Sequence, residues 1–206
     1  MRIALIDYRA GNLTSVRKAL SVVGADFFTP TAASELRDAD AVIVPGVGHF
    51  AATANLDAKW RATIREGVAA GKPLLGICLG LQFLFESSEE APDLPGLGLL
   101  AGRCHFLQAD GLKVPHVGWN TLAKRPRNSR ALAGVGDNVY AYFTHSYAAP
   151  VTDACVATTT HGETFASVVE QDHVMGAQFH PEKSSDAGLA ILRNFLALVQ
   201  ERKEQH

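Results

Sequence analysis

Pro73-Leu74-Leu75-Gly76-Ile77-Cys78-Leu79-Gly80-Leu81-Gln82-Phe83-Leu84-Phe85-Glu86 joins an apolar strand to an apolar helix across a cysteine. The run from Pro73 to Ile77 is uncharged on both faces, as expected of a central strand in a sheet covered from both sides. A helix is predicted over residues 81–86. Between them Cys78 has a glycine two residues away on either side, the form of a nucleophile elbow with cysteine in place of serine. At so sharp a strand-to-helix turn the neighbouring backbones approach closely, and only small residues fit there. The helix N-terminus then lies beneath the sulfur and favours the thiolate, the nucleophilic form. A lone cysteine is ordinarily a small buried core residue; the flanking glycines at a strand-helix junction argue for catalysis.

Outward from the elbow, strand-like runs at 3–6, 26–29, 41–44 and 74–77 alternate with helical stretches at 13–23 and 56–70. That alternation predicts parallel strands with crossover helices. Ala41-Val42-Ile43-Val44, apolar on both faces, belongs mid-sheet beside the elbow strand. From about Leu97 the pattern changes to successive β-rich runs at 99–107, 139–143, 155–160, 165–170 and 174–179, some of them antiparallel. Gly162 suits a hairpin turn between the third and fourth. A last helix over 185–199 sets Leu189, Leu192, Phe195, Leu196 and Val199 on one face, toward the sheet. The expected fold is α/β: a mostly parallel central sheet flanked by helices, with additional antiparallel strands in the second half. With no repeat, linker or low-complexity segment, residues 1–206 are expected to form one domain.

Composition narrows the chemistry. The 206 residues are 47% hydrophobic and 19% charged, with a formal net charge of −2; a chain of this size buries roughly 70% of its unfolded surface without disulfides or a structural metal. Near-neutral charge supplies no electrostatic footprint for nucleic acid, and no basic amphipathic helix points to a membrane surface. The basic stretch Lys124-Arg125-Pro126-Arg127-Asn128-Ser129-Arg130 reads as a solvated loop. The apolar run before Asp7 is only four residues long, too short for a secretion-signal core, and no run approaches the roughly 18 residues of a membrane span. Cys78, Cys104 and Cys155 are far apart and carry no C-x-x-C spacing. A reduced, cytoplasmic chain without metal or cofactor is expected. Gly96-Leu97-Gly98-Leu99-Leu100-Ala101 has the dinucleotide spacing but follows Pro92 and Pro95 rather than a strand. Gly71-Lys72-Pro73 lacks the Ser or Thr of a phosphate loop.

A thiol nucleophile calls for a base, and the base for a partner that holds its ring. Of eight histidines, His180 arrives with such a partner held across a proline, in Gln178-Phe179-His180-Pro181-Glu182-Lys183. Pro181 biases His180 toward extended backbone, where residues i and i+2 share a side, so the Glu182 carboxylate can reach the imidazole, select its tautomer and stabilise the imidazolium. The alternative for this pair is an ordinary surface His-Glu contact. Acyl chemistry also needs donors for the oxyanion, and Pro45-Gly46-Val47-Gly48, directly after the strand that ends at Val44, can turn a backbone N–H toward a ligand.

Cys78 in its elbow, with His180-Pro181-Glu182 near the far end of the chain, resembles the class I glutamine amidotransferases, whose flavodoxin-like architecture agrees with the sheet predicted above. Asp7-Tyr8 with Gly11-Asn12-Leu13, Pro45-Gly46-Val47-Gly48-His49-Phe50, His116-Val117-Gly118-Trp119-Asn120, His145-Ser146-Tyr147 and Gln178 to Ser184 are similar to the glutaminase subunits of imidazole glycerol phosphate synthases. The resemblance spans essentially the whole chain. It implies that Cys78 attacks the side-chain amide of L-glutamine, that His180 protonates the departing ammonia and then activates water, and that Glu182 orients His180. It implies oxyanion donors at the backbone N–H groups of Leu79 and, after rotation of its peptide, Val47, and a glutamine site formed by Gly48, Gln82, Glu90 and the backbone of His145, Ser146 and Tyr147. Gln82 lies one helical turn after Cys78, and Glu90 can meet the ammonium group of an amino acid. By the same resemblance Asn12, Trp119, Tyr142 and Lys183 lie at the contact with a cyclase subunit, a (β/α)8 barrel that forms a heterodimer with the glutaminase and uses its ammonia to make imidazole glycerol phosphate and an aminoimidazole carboxamide ribotide. For Trp119, buried packing is the competing expectation. One residue departs from the family pattern: Arg9 stands where relatives commonly carry glycine, which puts the local backbone in question. Two other functions share parts of this pattern, a non-catalytic docking subunit and a stand-alone cysteine hydrolase of γ-glutamyl or peptide bonds. The first calls for a missing triad member, and none is missing; the second does not call for Trp119-Asn120 or the glycines at 46 and 48.

Overall fold

The computed structural model describes residues 1–11 and 13–204. In chain order the elements are β1 (Ile3–Leu5), α1 (Thr14–Val22), β2 (Phe27–Phe28), β3 (Ala41–Val44), α2 (Ala58–Ala69), β4 (Leu74–Ile77), α3 (Leu79–Leu84), β5 (Phe85–Ser88), β6 (Leu100–Phe106), β7 (His116–Thr121), β8 (Ala123–Lys124), β9 (Tyr140–His145), β10 (Tyr147–Ala148), β11 (Cys155–His161), β12 (Glu163–Gln171), β13 (Val174–Ala177) and α4 (Ser185–Glu204). Eight strands form one sheet in the order β2-β1-β3-β4-β13-β12-β11-β8. β2, β1, β3, β4 and β13 are parallel, and β12, β11 and β8 continue the sheet antiparallel. Both parts of the expected architecture are present, and Gly162 does turn the β11–β12 hairpin, where His161 pairs with Glu163.

Alternation along the parallel strands builds a core on each face. Ile3, Leu5, Ile43, Leu75 and Ile77 meet Val16 and Leu20 of α1 and Ile191, Leu192, Phe195 and Val199 of α4. Ala4, Ile6, Val42, Val44 and Leu74 meet Ile64 of α2 and Leu79, Leu81, Phe83 and Leu84 of α3. With both faces covered, the uninterrupted apolar runs read from the sequence are accounted for. Helix α2 starts at Ala58, two residues later than predicted, because Asp57 caps it: its Oδ1 accepts from the N–H groups of Lys59 and Trp60 at 2.9 and 3.0 Å.

The helix predicted at 81–86 is displaced. It starts at Leu79, immediately after the elbow, and stops at Leu84, where the chain turns directly into strand β5. Residues 96–99 end it: the N–H of Leu97 donates to the Phe83 carbonyl at 2.7 Å and that of Leu99 to the Leu84 carbonyl at 2.9 Å, satisfying carbonyls that a continuing helix would have used. The glycine-rich stretch with dinucleotide spacing is therefore a helix stop. In the basic loop, Arg125 donates to the carbonyls of Thr152 and Cys155, and the Glu170 carboxylate accepts from Ser129, Arg130 and Ala131. Its side chains serve the backbone around them. Among the described residues no helix is long and apolar enough to cross a membrane.

Candidate active site

The segments that follow β1, β3, β4 and β13 gather at one edge of the sheet, the carboxyl ends of its parallel strands, where α/β folds place their ligand sites. Cys78 leaves β4 with φ +52°, a left-handed conformation unusual for a residue with a side chain. Surrounding structure imposes it. The Cys78 N–H donates to the Ala177 carbonyl of β13 at 2.7 Å, and the Cys78 carbonyl accepts from the Gln82 N–H at 3.1 Å. A Cβ on Gly76 would stand 2.6 Å from the Gly80 carbonyl oxygen, and one on Gly80 would stand 1.7 Å from that of Val44. These contacts give the physical reason for both glycines of the elbow. The thiol is 4% exposed, 3.9 Å from the Thr144 carbonyl oxygen and 3.9 Å from Nε2 of Gln178.

His180 follows β13 and is 1% exposed. Its N–H donates to the Tyr142 carbonyl at 2.9 Å, while Ser184 accepts from the Tyr142 N–H and donates to the His180 carbonyl, which ties this corner to β9. Nδ1 lies 2.8 Å from Oε1 of Glu182. The predicted pairing is therefore present, with a different backbone: His180 is extended as expected, but Pro181–Lys183 form a 3-10 turn that folds the carboxylate back onto the ring. A proton on Nδ1 leaves Nε2, which is buried and without a hydrogen-bond partner among the described residues, as the ring's site for proton exchange. Burial pulls His180 down, but Cys78 and then Glu182 outweigh it and push it up to about 10. The direction favours the imidazolium.

A cavity of about 270 Å³ opens beside the thiol, lined by Gly48, Leu79, Gln82, Glu90 and residues 144–147 together with Pro115. That is the volume of about nine liquid waters, the scale of a free amino acid. Every residue assigned to substrate by resemblance lines it: Gly48, Gln82, Glu90, His145, Ser146 and Tyr147. Thr144 and Pro115 were not anticipated; Thr144 could have been read from its place beside His145-Ser146-Tyr147, whereas Pro115 gave no signal. Two of the polar groups are already engaged by the protein. Gln82 Nε2 donates to the Tyr147 carbonyl at 2.7 Å, and Glu90 Oε2 accepts from the Phe50 N–H at 2.7 Å.

Behind the cavity wall runs a chain of hydrogen bonds. Asn120 Nδ2 lies 3.2 Å from His116 Nε2, His116 Nδ1 lies 3.1 Å from His145 Nε2, and His145 Nδ1 lies 2.9 Å from the Tyr147 carbonyl oxygen. One tautomer set satisfies all three, with each histidine donating from Nδ1 and accepting at Nε2. Burial brings His145 down to about 3 despite its bond to Tyr147, and burial with the neighbouring His161 brings His116 down to about 4. Both rings are neutral near pH 7, so the chain fixes the Tyr147 carbonyl without adding charge.

Neither expected oxyanion donor is free in this state. The Leu79 N–H donates to the Gly46 carbonyl at 3.3 Å, and the Val47 N–H donates to the Ala10 carbonyl at 3.1 Å. Arg9, in the same corner, has a positive φ of +62°, and its N–H donates to Asp7. That conformation, which glycine adopts freely, costs a residue with a side chain about 1–2 kcal/mol.

Asn12 lies outside the described residues. The other three residues assigned to a partner contact stand together. Trp119 and Tyr142 are register partners on β7 and β9 with ring centroids 6.0 Å apart, and Lys183 Nζ is 5.7 Å from the Tyr142 ring centroid. Trp119 is 52% exposed, Val117 57% and Tyr140 61%, so buried packing does not account for Trp119. The inward face of the ribbon, His116, Ala141, Phe143 and His145, is buried.

Comparison with known proteins agrees with this geometry. A family model described as glutamine amidotransferase class-I matches residues 4–199. The chain is 46% identical to the imidazole glycerol phosphate synthase subunit HisH of Trichodesmium erythraeum, over 96% of this chain and 94% of that one. It is 44% identical to the subunit of the same name from Methanothermobacter thermautotrophicus, over 96% and 99%. A crystal structure of a glutamine amidotransferase shares the fold with a TM-score of 0.76 at 20% identity, covering 96% of this chain and 98% of that chain. The chain belongs to the class I glutamine amidotransferases, and within them to the family of HisH subunits of imidazole glycerol phosphate synthase.

Proposed function

We propose that this chain is the glutaminase half of a heterodimeric imidazole glycerol phosphate synthase, a single amidotransferase domain working in the cytoplasm beside a (β/α)8-barrel cyclase in histidine biosynthesis. The observation that carries the reading is a strained, over-constrained thiol at the mouth of an amino-acid-sized cavity, beside a histidine whose Nδ1 is held by Glu182. L-Glutamine enters with its ammonium group toward Glu90 and its side-chain amide toward Cys78. The thiolate adds to the amide carbon; His180, protonated at Nε2, gives its proton to the nitrogen as the C–N bond breaks, and ammonia leaves a thioester. His180 then takes a proton from water as the water attacks the thioester, and glutamate departs with the thiol restored. Negative charge on the carbonyl oxygen in both steps is met by the N–H groups of Leu79 and Val47 once the peptide between Gly46 and Val47 has rotated.

The exposed face of Val117, Trp119, Tyr140 and Tyr142, with Lys183 beside it, supports docking of the cyclase here. This face is the outer side of the ribbon whose Thr144 carbonyl touches Cys78, so a partner seated on it lies close to the point where ammonia is released. Incubation with a glutamine-analogue electrophile followed by peptide mapping checks the chemistry. Label is expected on Cys78; label on Cys104 or Cys155 would overturn the assignment.

A further inference from the structure

The hydroxyl of Tyr8, beyond the end of β1, is buried and has no hydrogen-bond partner among the described residues. Its ring is 4% exposed, and its backbone is anchored, since Asn55 Nδ2 donates to the Tyr8 carbonyl at 3.0 Å. Burial, and after it the charge of Cys78, hold the phenol above its usual range, so the group keeps its proton and remains a donor. It lies against Gly46: a Cβ there would stand 2.0 Å from the Tyr8 oxygen.

Gly46 holds one side of the peptide that occupies both oxyanion donors. Its carbonyl accepts from Leu79, and the N–H across the same peptide, that of Val47, donates to Ala10. One rotation of this single peptide therefore releases the Leu79 N–H and turns the Val47 N–H away from Ala10. It also strips the Gly46 carbonyl of its donor inside the protein, where an unmade hydrogen bond is costly. That carbonyl is carried by the same Cα that Tyr8 abuts. We propose that Tyr8 is a positioning residue of the oxyanion strand: its hydroxyl, idle in the resting state, donates to the Gly46 carbonyl after rotation and holds the strand in its active arrangement. This inference rests on the gated glutaminase reading above.

The test is Tyr8→Phe, which keeps the ring and removes only the oxygen, assayed in the complex with the cyclase and its ribotide. Stimulated kcat for glutamate release is expected to fall about tenfold, the worth of one hydrogen bond. KM for glutamine is expected to stay within twofold and the thermal midpoint not to fall, since an unpaired buried group has been removed. Stimulation of wild type with an undiminished stimulated kcat in the variant would overturn the inference alone. A fall in kcat matched by a lower thermal midpoint would also overturn it, in favour of simple packing. Wild type that is not stimulated at all would sink the gating reading and this inference with it.

Discussion

The elbow at Cys78 and the strand at residues 45–48 leave neighbouring strands of one sheet, β4 and β3, yet they are held on opposite terms. The elbow is locked: Cys78 has a strained φ, a 2.7 Å bond to Ala177, and glycines whose hydrogens fill the only space between close backbones. Residues 45–48 are secured near the thiol by two backbone bonds that share one peptide, and in the proposed mechanism that peptide turns to free both donors. The difference teaches where chemistry and control reside in this molecule. The cysteine is fixed by close steric contacts, while the proposed oxyanion site depends on a peptide that takes a second arrangement, which a partner can bias.

Four substitutions bear on this contrast, the largest effect first. Glu182→Gln strikes the rigid side and should lower kcat for glutamine by 10²–10⁴-fold, because the variant amide holds the wrong tautomer of His180 and no longer stabilises the imidazolium. The same variant has a signed pH signature. Since His180 is raised above its unfolded value, its contribution to stability is full below about 6.5 and fades as pH rises through about 10. The wild-type advantage in urea midpoint over Glu182→Gln should therefore be greatest below pH 6.5 and close toward pH 10; a gap that widens with pH would break the assignment.

Gly80→Ala puts a methyl 1.7 Å from the Val44 carbonyl oxygen, which is backbone and cannot step aside. A loss of about 3 kcal/mol or more is expected in chemical denaturation. Gly48→Ala meets no neighbouring atom and faces only its φ of +95°, so it should cost about 1–2 kcal/mol. Equal losses would erase the distinction between the two segments. Trp119→Ala should weaken cyclase binding about 10- to 100-fold, measured by titration calorimetry. The fold itself should change by less than about 0.5 kcal/mol, because the indole is half exposed. A stability loss in the free chain without loss of affinity would return Trp119 to a packing role.

Legibility in the sequence followed the same division. The elbow could be read because its requirements are local: two small residues, an apolar strand before and an apolar stretch after. His180 and Glu182 could be paired because they are two apart, although the 3-10 turn that joins them could not be foreseen from an extended Pro181 context. The antiparallel strands β11 and β12 fall after the change of pattern near Leu97, but β13, in the same stretch, is parallel to β4. Helix α3 was misplaced because its stop comes from N–H groups of Leu97 and Leu99, outside the helix's own periodicity. Strand β7 was missed as a strand since Gly118 and polar neighbours break its apolar signal. Exposure of Trp119, and the engagement of Val47 with Ala10, depend on contacts distant in sequence and carry no local mark.

The most direct measurement is steady-state glutamate release from glutamine by the chain alone and by its complex with the ribotide-loaded cyclase, with Cys78→Ala as the blank. Rotation of one peptide to supply an oxyanion donor predicts stimulation of about 100- to 1000-fold, abolished in the variant. Equal rates with and without the loaded cyclase would contradict a gated oxyanion site.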